Sequence, residues 1–221
     1  MLAVRTIDDA APDLTPLGGL VVRREVRADL LAQLQGRTPG EITDRFASGH
    51  RAYVALLDSE LAAFGWVATR AAVIGELGAA FDLPFGERYL WNFVTLRAHR
   101  GKGIYPRLID AIVRTESGEA DRFWIAHAPE NRASGAGIRK AGFTTIARLS
   151  FDRDGRPAVS VADVDSGSPL AVGLPLANEP LSECWRCVRA ASARGASASQ
   201  ASCGRVPCCC DYQRPDVECA A

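Results

Sequence analysis

The chain predicts a mixed α/β domain followed by a tail of different character. Three observations carry that reading. Apolar runs of strand length fill the first half, and then a helix, a strand, a second helix and two more strands follow up to Val164. One strand-like run ends at Val94-Thr95-Leu96 in a basic, glycine-bearing turn, and a helical stripe begins at once. Cysteine is absent from residues 1 to 183, and all seven cysteines lie between Cys184 and Cys219.

Gly18 to Val26 alternates and is expected as a first strand. Leu30 to Gln35 and Glu41 to Ser48 read as short helices, the second bounded by Pro39-Gly40 before it and Gly49 after it. Ala52 to Leu57 and Leu61 to Thr69 are apolar runs joined through Asp58-Ser59-Glu60, a hairpin signal. Val73 to Leu77 is expected to extend that sheet. Tyr89 to Leu96 alternates, which predicts Tyr89, Trp91, Phe93 and Thr95 on one face of a central, buried strand. From Ile104 the apolar residues Leu108, Ile109, Ile112 and Val113 make a one-sided helical stripe, with Pro106 tolerated in the first turn. Phe123 to Ala128 is the next strand. Glu130 to Ala141 is a helix closed by Gly142. Phe143 to Phe151 and Ala158 to Val164 form a closing hairpin across Asp152-Arg153-Asp154-Gly155.

The 221 residues suffice for one filled core plus an appendage. Hydrophobic residues make up 48% and charged residues 24%, the balance of a soluble globular protein. Zero formal net charge argues against bulk attraction to nucleic acid or to an anionic membrane. Charged residues interrupt every apolar run before it reaches bilayer length. Met1 to Asp13 carries acids and no continuous apolar stretch, so no secretory signal is expected and a cytoplasmic address follows by default.

The turn Arg97-Ala98-His99-Arg100-Gly101-Lys102-Gly103 leaves several backbone N–H groups unpaired at the positive end of a helix, which favours an anion such as a phosphate. It is no P-loop, since Gly103 rather than Ser or Thr follows Lys102, and it lacks the third glycine of a dinucleotide fingerprint. Two blocks in this order resemble the GNAT superfamily, the acyl-CoA-dependent N-acetyltransferases, over roughly residues 18 to 165. The first is Arg100-Gly101-Lys102-Gly103-Ile104-Tyr105. The second is Asn131-Arg132-Ala133-Ser134 with Lys140-Ala141-Gly142-Phe143.

The resemblance implies a mostly antiparallel sheet, splayed between its fourth and fifth strands and flanked by helices. It implies acetyl-CoA as co-substrate. The amides of Gly101, Lys102, Gly103, Ile104 and Tyr105, with the charges of Arg100 and Lys102, would hold the pyrophosphate. Thr95 and Leu96 would line the pantetheine, with Asn131 and Ser134 beside it. For Asn131 a helix cap is the alternative, compatible role. A carboxylate near the thioester would take the proton of the amine acceptor, and Glu76 is the first candidate. Asp82 and Glu87 are fallbacks, and His127 stands near the supposed cleft. Trp66, Phe81, Phe85 and Trp91 fall in the half that would receive the acceptor.

Two positions depart from the family pattern. Tyr105 replaces the loop's final small residue. Ile138 stands where many relatives carry a proton-donating tyrosine, and it has no proton to give.

From Asp165 the composition changes, and the domain boundary is expected near Gly167, leaving residues 167 to 221 as linker and tail. Cys184, Cys187, Cys203 and Cys208 have spacing compatible with a zinc site, while the Ala- and Ser-rich stretch between them argues for disorder. The resemblance thus implies an acetyltransferase acting on a primary amine of a small molecule, peptide or protein, as monomer or homodimer, and charge and hydropathy argue against nucleic acid or membrane as partner. The rival reading is a non-catalytic CoA- or partner-binding module with a metal- or redox-responsive tail.

Overall fold

The computed structural model describes residues 1–152, 154–161, 174–177, 184–186 and 188. The elements run β1 (Leu2–Thr6), β2 (Leu20–Glu25), α1 (Ala28–Gln35), α2 (Pro39–Ala47), β3 (His50–Leu57), β4 (Glu60–Ala68), β5 (Ala71–Ile74), β6 (Ala79–Asp82), β7 (Glu87–Thr95), α3 (Ile104–Glu116), β8 (Arg122–Ala126), α4 (Arg132–Lys140), β9 (Thr144–Phe151) and β10 (Pro157–Val161). Eight strands form one sheet in the order β10-β9-β1-β8-β7-β4-β3-β2. Its pairs are antiparallel except β7 with β8. The mixed, mostly antiparallel sheet expected from the sequence is therefore present.

Helices cover both faces. On one, Leu108, Ile109 and Ile112 of α3 pack with Ile138 and Phe143 against Leu90, Phe123 and Ile125. Burying each such side chain stabilises the fold by roughly 1.5–3 kcal/mol. On the other, Leu31 and Ile42 of α1 and α2 pack on Val54, Phe64 and Trp66. Beside them Trp124, Tyr89 and Leu149 pack with the β5–β6 hairpin and with Trp185. The Trp185 indole N–H donates to Leu149 O at 2.7 Å, and the Glu130 carboxylate accepts the backbone N–H groups of Trp185 and Arg186 at 3.2 and 3.1 Å. Residues well past Gly167 thus pack on the sheet.

Four local findings differ from the sequence-based expectation. Strand β1 was not anticipated: five residues are too few for a period-2 signal to stand out, yet this strand sits between β8 and β9, and its Arg5 pairs with Asp110 at 2.9 Å. Pro39-Gly40 does not precede α2 but forms its first turn, capped by Thr38 in a box with Glu41. Strand β5 does not extend the main sheet, because it pairs with β6 alone.

The fourth concerns β7. Asn92 adopts φ +50 and the register with β4 shifts between Phe64 and Trp66, a bulge that reverses side-chain parity. Tyr89 and Trp91 therefore face the hairpin and α2, whereas Phe93 joins the core under α3. Gly65 makes room for it, since a Cβ there would lie 2.2 Å from the Phe93 ring.

Candidate functional site

The parallel pair β7–β8 is short. It runs from Glu87 opposite Arg122 to Leu90 opposite Ile125. Strand β7 then continues through Trp91–Thr95, still paired to β4, while among the described residues nothing pairs with its other edge. Strand β8 ends one residue past the last pair, at Ala126, so the paired stretch closes one end of a V whose other end, from Trp91 on, is unpaired. Leu96 donates its amide to Ala62 O at 2.8 Å on the β4 side. Alternation along a strand then turns the Thr95 amide into the gap. Of the two residues expected to line a pantetheine arm, Thr95 offers its N–H and Leu96 does not, because that donor is already used.

Directly after β7 the chain makes a 3-10 turn at Arg97–His99 and enters α3 through Gly101 at φ +78 and Gly103 at φ +72. Glycine alone adopts these backbone angles without penalty. The amides of Gly101, Lys102, Gly103, Ile104 and Tyr105 donate to no group among the described residues. A Cβ built on Gly101 would meet nothing within 4 Å, so the space above the loop is open. Arg100 and Lys102 are exposed beside it, and Arg100 Nε donates to Thr95 O at 3.2 Å. Arg107 braces the loop from below, with Nη1 on Gly103 O at 2.7 Å and Nε on Thr15 O at 3.0 Å. Convergent amides, a helix N-terminus and two cations suit a diphosphate.

The Tyr105 side chain does not fill this cradle. Its ring turns between α3 and α4, edge-on to Phe93 with centroids 5.5 Å apart, and its hydroxyl lies 3.0 Å from Ser134 Oγ. It crosses α4 at Gly137, where a Cβ would come within 2.4 Å of the ring. Burial pushes the Tyr105 pKa up to about 12, so the phenol is neutral at pH 7. Asn131 caps α4, its Oδ1 accepting the Ser134 N–H at 3.0 Å. Ile138, one turn further on, is buried in the core under α3. The residues around the open V thus fit an acyl-CoA arm: amides at its head, the free Thr95 edge along it, and no side chain in the cradle.

His127 follows the end of β8. Its ring lies over Gly135, where a Cβ would be 2.9 Å from Nε2, and its Nδ1 lies 2.8 Å from Ala128 O. That carbonyl requires the Nδ1–H tautomer. Burial lowers the His127 pKa, which leaves the ring neutral at pH 7.

The expected bases are dispersed. Glu76 is exposed in the turn between β5 and β6 rather than within a strand. Its charge reaches the Tyr89 hydroxyl, whose pKa is raised mainly by burial and secondarily by Glu76. Asp82 ends β6. Glu87 begins β7 at the closed end of the V, where its carboxylate accepts the Trp124 indole N–H and burial raises its pKa. It stands away from the open end, so Glu87 falls out as a base.

On the α1/α2 face, against Trp91 where the strands begin to part, lies a cavity of about 510 Å³. Arg45, His50, Val73, Phe81, Asp82 and Trp91 contribute to its wall. Arg45 stacks on both indoles, 5.1 Å from the Trp66 centroid and 4.9 Å from that of Trp91. Of the four aromatics expected near an acceptor, Phe81 and Trp91 line this cavity. Trp66 is buried beneath it, and Phe85 is fully exposed elsewhere. Arg45 and His50 were not anticipated. Arg45 carries no motif, being one polar residue on an ordinary amphipathic helix.

Cys184 is buried, and Cys187, Cys203 and Cys208 lie outside the described residues. Among the described residues no three His, Cys, Asp or Glu side chains gather as metal ligands. No described helix is long and apolar enough to cross a membrane.

No protein-family model and no curated protein matches the chain. Solved structures do. A GNAT family acetyltransferase from Elizabethkingia anophelis with acetyl-CoA bound aligns at 13% identity, covering 61% of this chain and 82% of that one, with a TM-score of 0.45. An acetyltransferase of the GNAT family from Streptococcus pneumoniae aligns at 14% identity, over 62% and 93% of the two chains, with a TM-score of 0.44. A Bacillus subtilis acetyltransferase in complex with CoA aligns at 20% identity, over 61% and 82%, with a TM-score of 0.44.

Proposed function

We propose that this protein transfers an acetyl group from acetyl-CoA to a primary amine. The observation that carries the proposal is the run of unpaired amides from Gly101 to Tyr105, at the head of α3, adjoining the open V between β7 and β8. The diphosphate of the carrier would rest on those amides, with Arg100 and Lys102 adding charge-assisted contacts. Its pantetheine arm would extend past Thr95, with Asn131 and Ser134 on the opposite wall.

The reaction needs a neutral amine. Its lone pair attacks the thioester carbonyl, the C–S bond breaks, an amide forms, and the sulfur leaves as thiolate and takes a proton. Glu76, on the hairpin beside Tyr89, is the base we assign for the ammonium proton. Ile138 supplies no acid, so water protonates the thiolate, which is itself a fair leaving group. Positioning of amine against thioester supplies the larger part of the acceleration.

Calorimetric titration with acetyl-CoA, followed by an assay for thiol release across an amine panel, tests the reading. Heat of binding and amine-dependent thiol release are expected. Glu76→Gln should lower kcat/KM about a hundredfold and leave acetyl-CoA affinity unchanged. No affinity for acetyl-CoA would overturn the assignment. Affinity with no turnover on any amine would leave the non-catalytic reading, which Ile138 favours.

A further inference from the structure

The cavity on the α1/α2 face has a chemical signature of its own. Its walls are mostly apolar, and its volume of about 510 Å³ suits a small organic molecule. Its polar atoms are unbalanced. Arg45 lies half-buried between indoles, its Nη1 donates to the neutral Gln35 Oε1 at 2.8 Å, and no described carboxylate stands within ion-pair distance. Trp66 Nε1 and Trp91 Nε1 are buried and have no hydrogen-bond partner among the described residues, and neither has His50 Nδ1. Burial and the Arg45 charge both keep His50 neutral at pH 7. This side of the cavity therefore carries a positive charge without an anionic partner, which favours an occupant that brings an anionic oxygen.

The other side differs. From the hairpin, Asp82 adds a carboxylate, and it forms no ion pair with Arg45 although both line the same cavity. Opposite charges therefore face the cavity from α2 and from β6, with Phe81 and Trp91 between them. Trp91 is also the first β7 residue past the last β7–β8 pair, Leu90 with Ile125, so the cavity abuts the apex of the V.

We infer that the acceptor is an amino carboxylate with an apolar body, its carboxylate held by Arg45 and its ammonium drawn to the Asp82 side. Proximity to Trp91 then presents the nitrogen toward the gap in which the thioester would lie. The inference rests on the proposed transfer only for calling the occupant an acceptor; the binding itself does not need acetyl-CoA.

The full chain is titrated without acetyl-CoA against phenylalanine, phenethylamine and 3-phenylpropionate, read by tryptophan fluorescence and by calorimetry. Phenylalanine should bind about tenfold more tightly than either analogue lacking one charge. Arg45→Met should erase the advantage over phenethylamine and leave acetyl-CoA affinity unaltered. Equal affinity for phenylalanine and phenethylamine, a preference that survives in Arg45→Met, or no binding of phenylalanine would each overturn the inference. If Arg45→Met fails to fold, the three ligands on the unaltered chain still decide. Thiol release with phenethylamine but not phenylalanine would sink this inference and spare the transfer. Phenylalanine binding with no thiol release from any amine would spare the binding site and overturn the transfer.

Discussion

The two faces of the β7 strand do different work with different materials. On the α3/α4 face the proposed binding elements are main-chain amides, held by two left-handed glycines and a helix start within one short segment. On the α1/α2 face the cavity is built from side chains of α2, β3, the β5–β6 hairpin and β7. The first can tolerate side-chain change, as Tyr105 demonstrates by turning its ring away. The second depends on each side chain being where it is.

The largest effect should come from a change that injures both faces together. Glu116 is buried at the end of α3 and accepts Tyr53 Oη at 2.5 Å, Arg51 Nη1 at 2.6 Å and Arg88 Nε at 3.0 Å. It ties α3 to β3 and β7. Glu116→Gln removes the buried charge between Arg51 and Arg88, leaves them only the exposed Glu119, and should cost about 3 kcal/mol in urea unfolding, with both proposed ligand sites weakened. A stability unchanged from wild type would mean that the two faces are held independently of this cluster.

Next in size is the charge at the loop. Arg100→Glu with Lys102→Glu should weaken acetyl-CoA binding about a hundredfold, a change of about 2.8 kcal/mol, with phenylalanine affinity unmoved. Loss at both sites would show that the faces are coupled. Tyr105→Phe removes the bond to Ser134 and should reduce stability by about 1 kcal/mol, leaving acetyl-CoA affinity within twofold. A large loss of affinity would place the hydroxyl on the ligand rather than on α4.

The smallest effect concerns pH, where the two faces should behave alike. His50 and His127 both have pKa values lowered below 6.5, each mainly by burial. Below about 6.5 the unfolded chain takes up protons at these two rings that the native state refuses, so their contribution to stability falls as pH drops and is flat above neutrality. His50→Asn and His127→Asn should each flatten part of that fall between pH 7 and 5, measured by thermal unfolding. A slope identical to wild type in both variants would put the acid sensitivity elsewhere.

Legibility followed the same division. The loop was readable because its conformation is set by consecutive residues whose backbone demands glycine. Strands β3, β4, β7 and β8 and the helices α3 and α4 announced themselves by period, which predicted a mixed sheet, while its mostly antiparallel pairing was implied by the family resemblance. The parity of β7 was not readable, because Asn92 looks like any polar residue in an alternating run and bulges only when paired with β4. Glu76 read as part of a strand because Val73, Ile74 and Leu77 surround it, but those side chains anchor a separate hairpin. The Arg45 cavity was legible only in part: Phe81, Asp82 and Trp91 were expected near an acceptor, whereas Arg45 and His50 join them only through the tertiary fold.

Asn92 carries one more implication, for how this chain can be edited. Substitution there by glycine or aspartate keeps a left-handed conformation within reach. Removing the residue would instead take out the bulge and let Phe93 follow Trp91 in plain alternation, so that Phe93, Val94 and Thr95 keep their places opposite Gly65, Phe64 and Ala63. Tolerance of a deletion at this one spot, beside intolerance of the same deletion one pair earlier or later, would mark the strand as a partition whose two sides are addressed by counting.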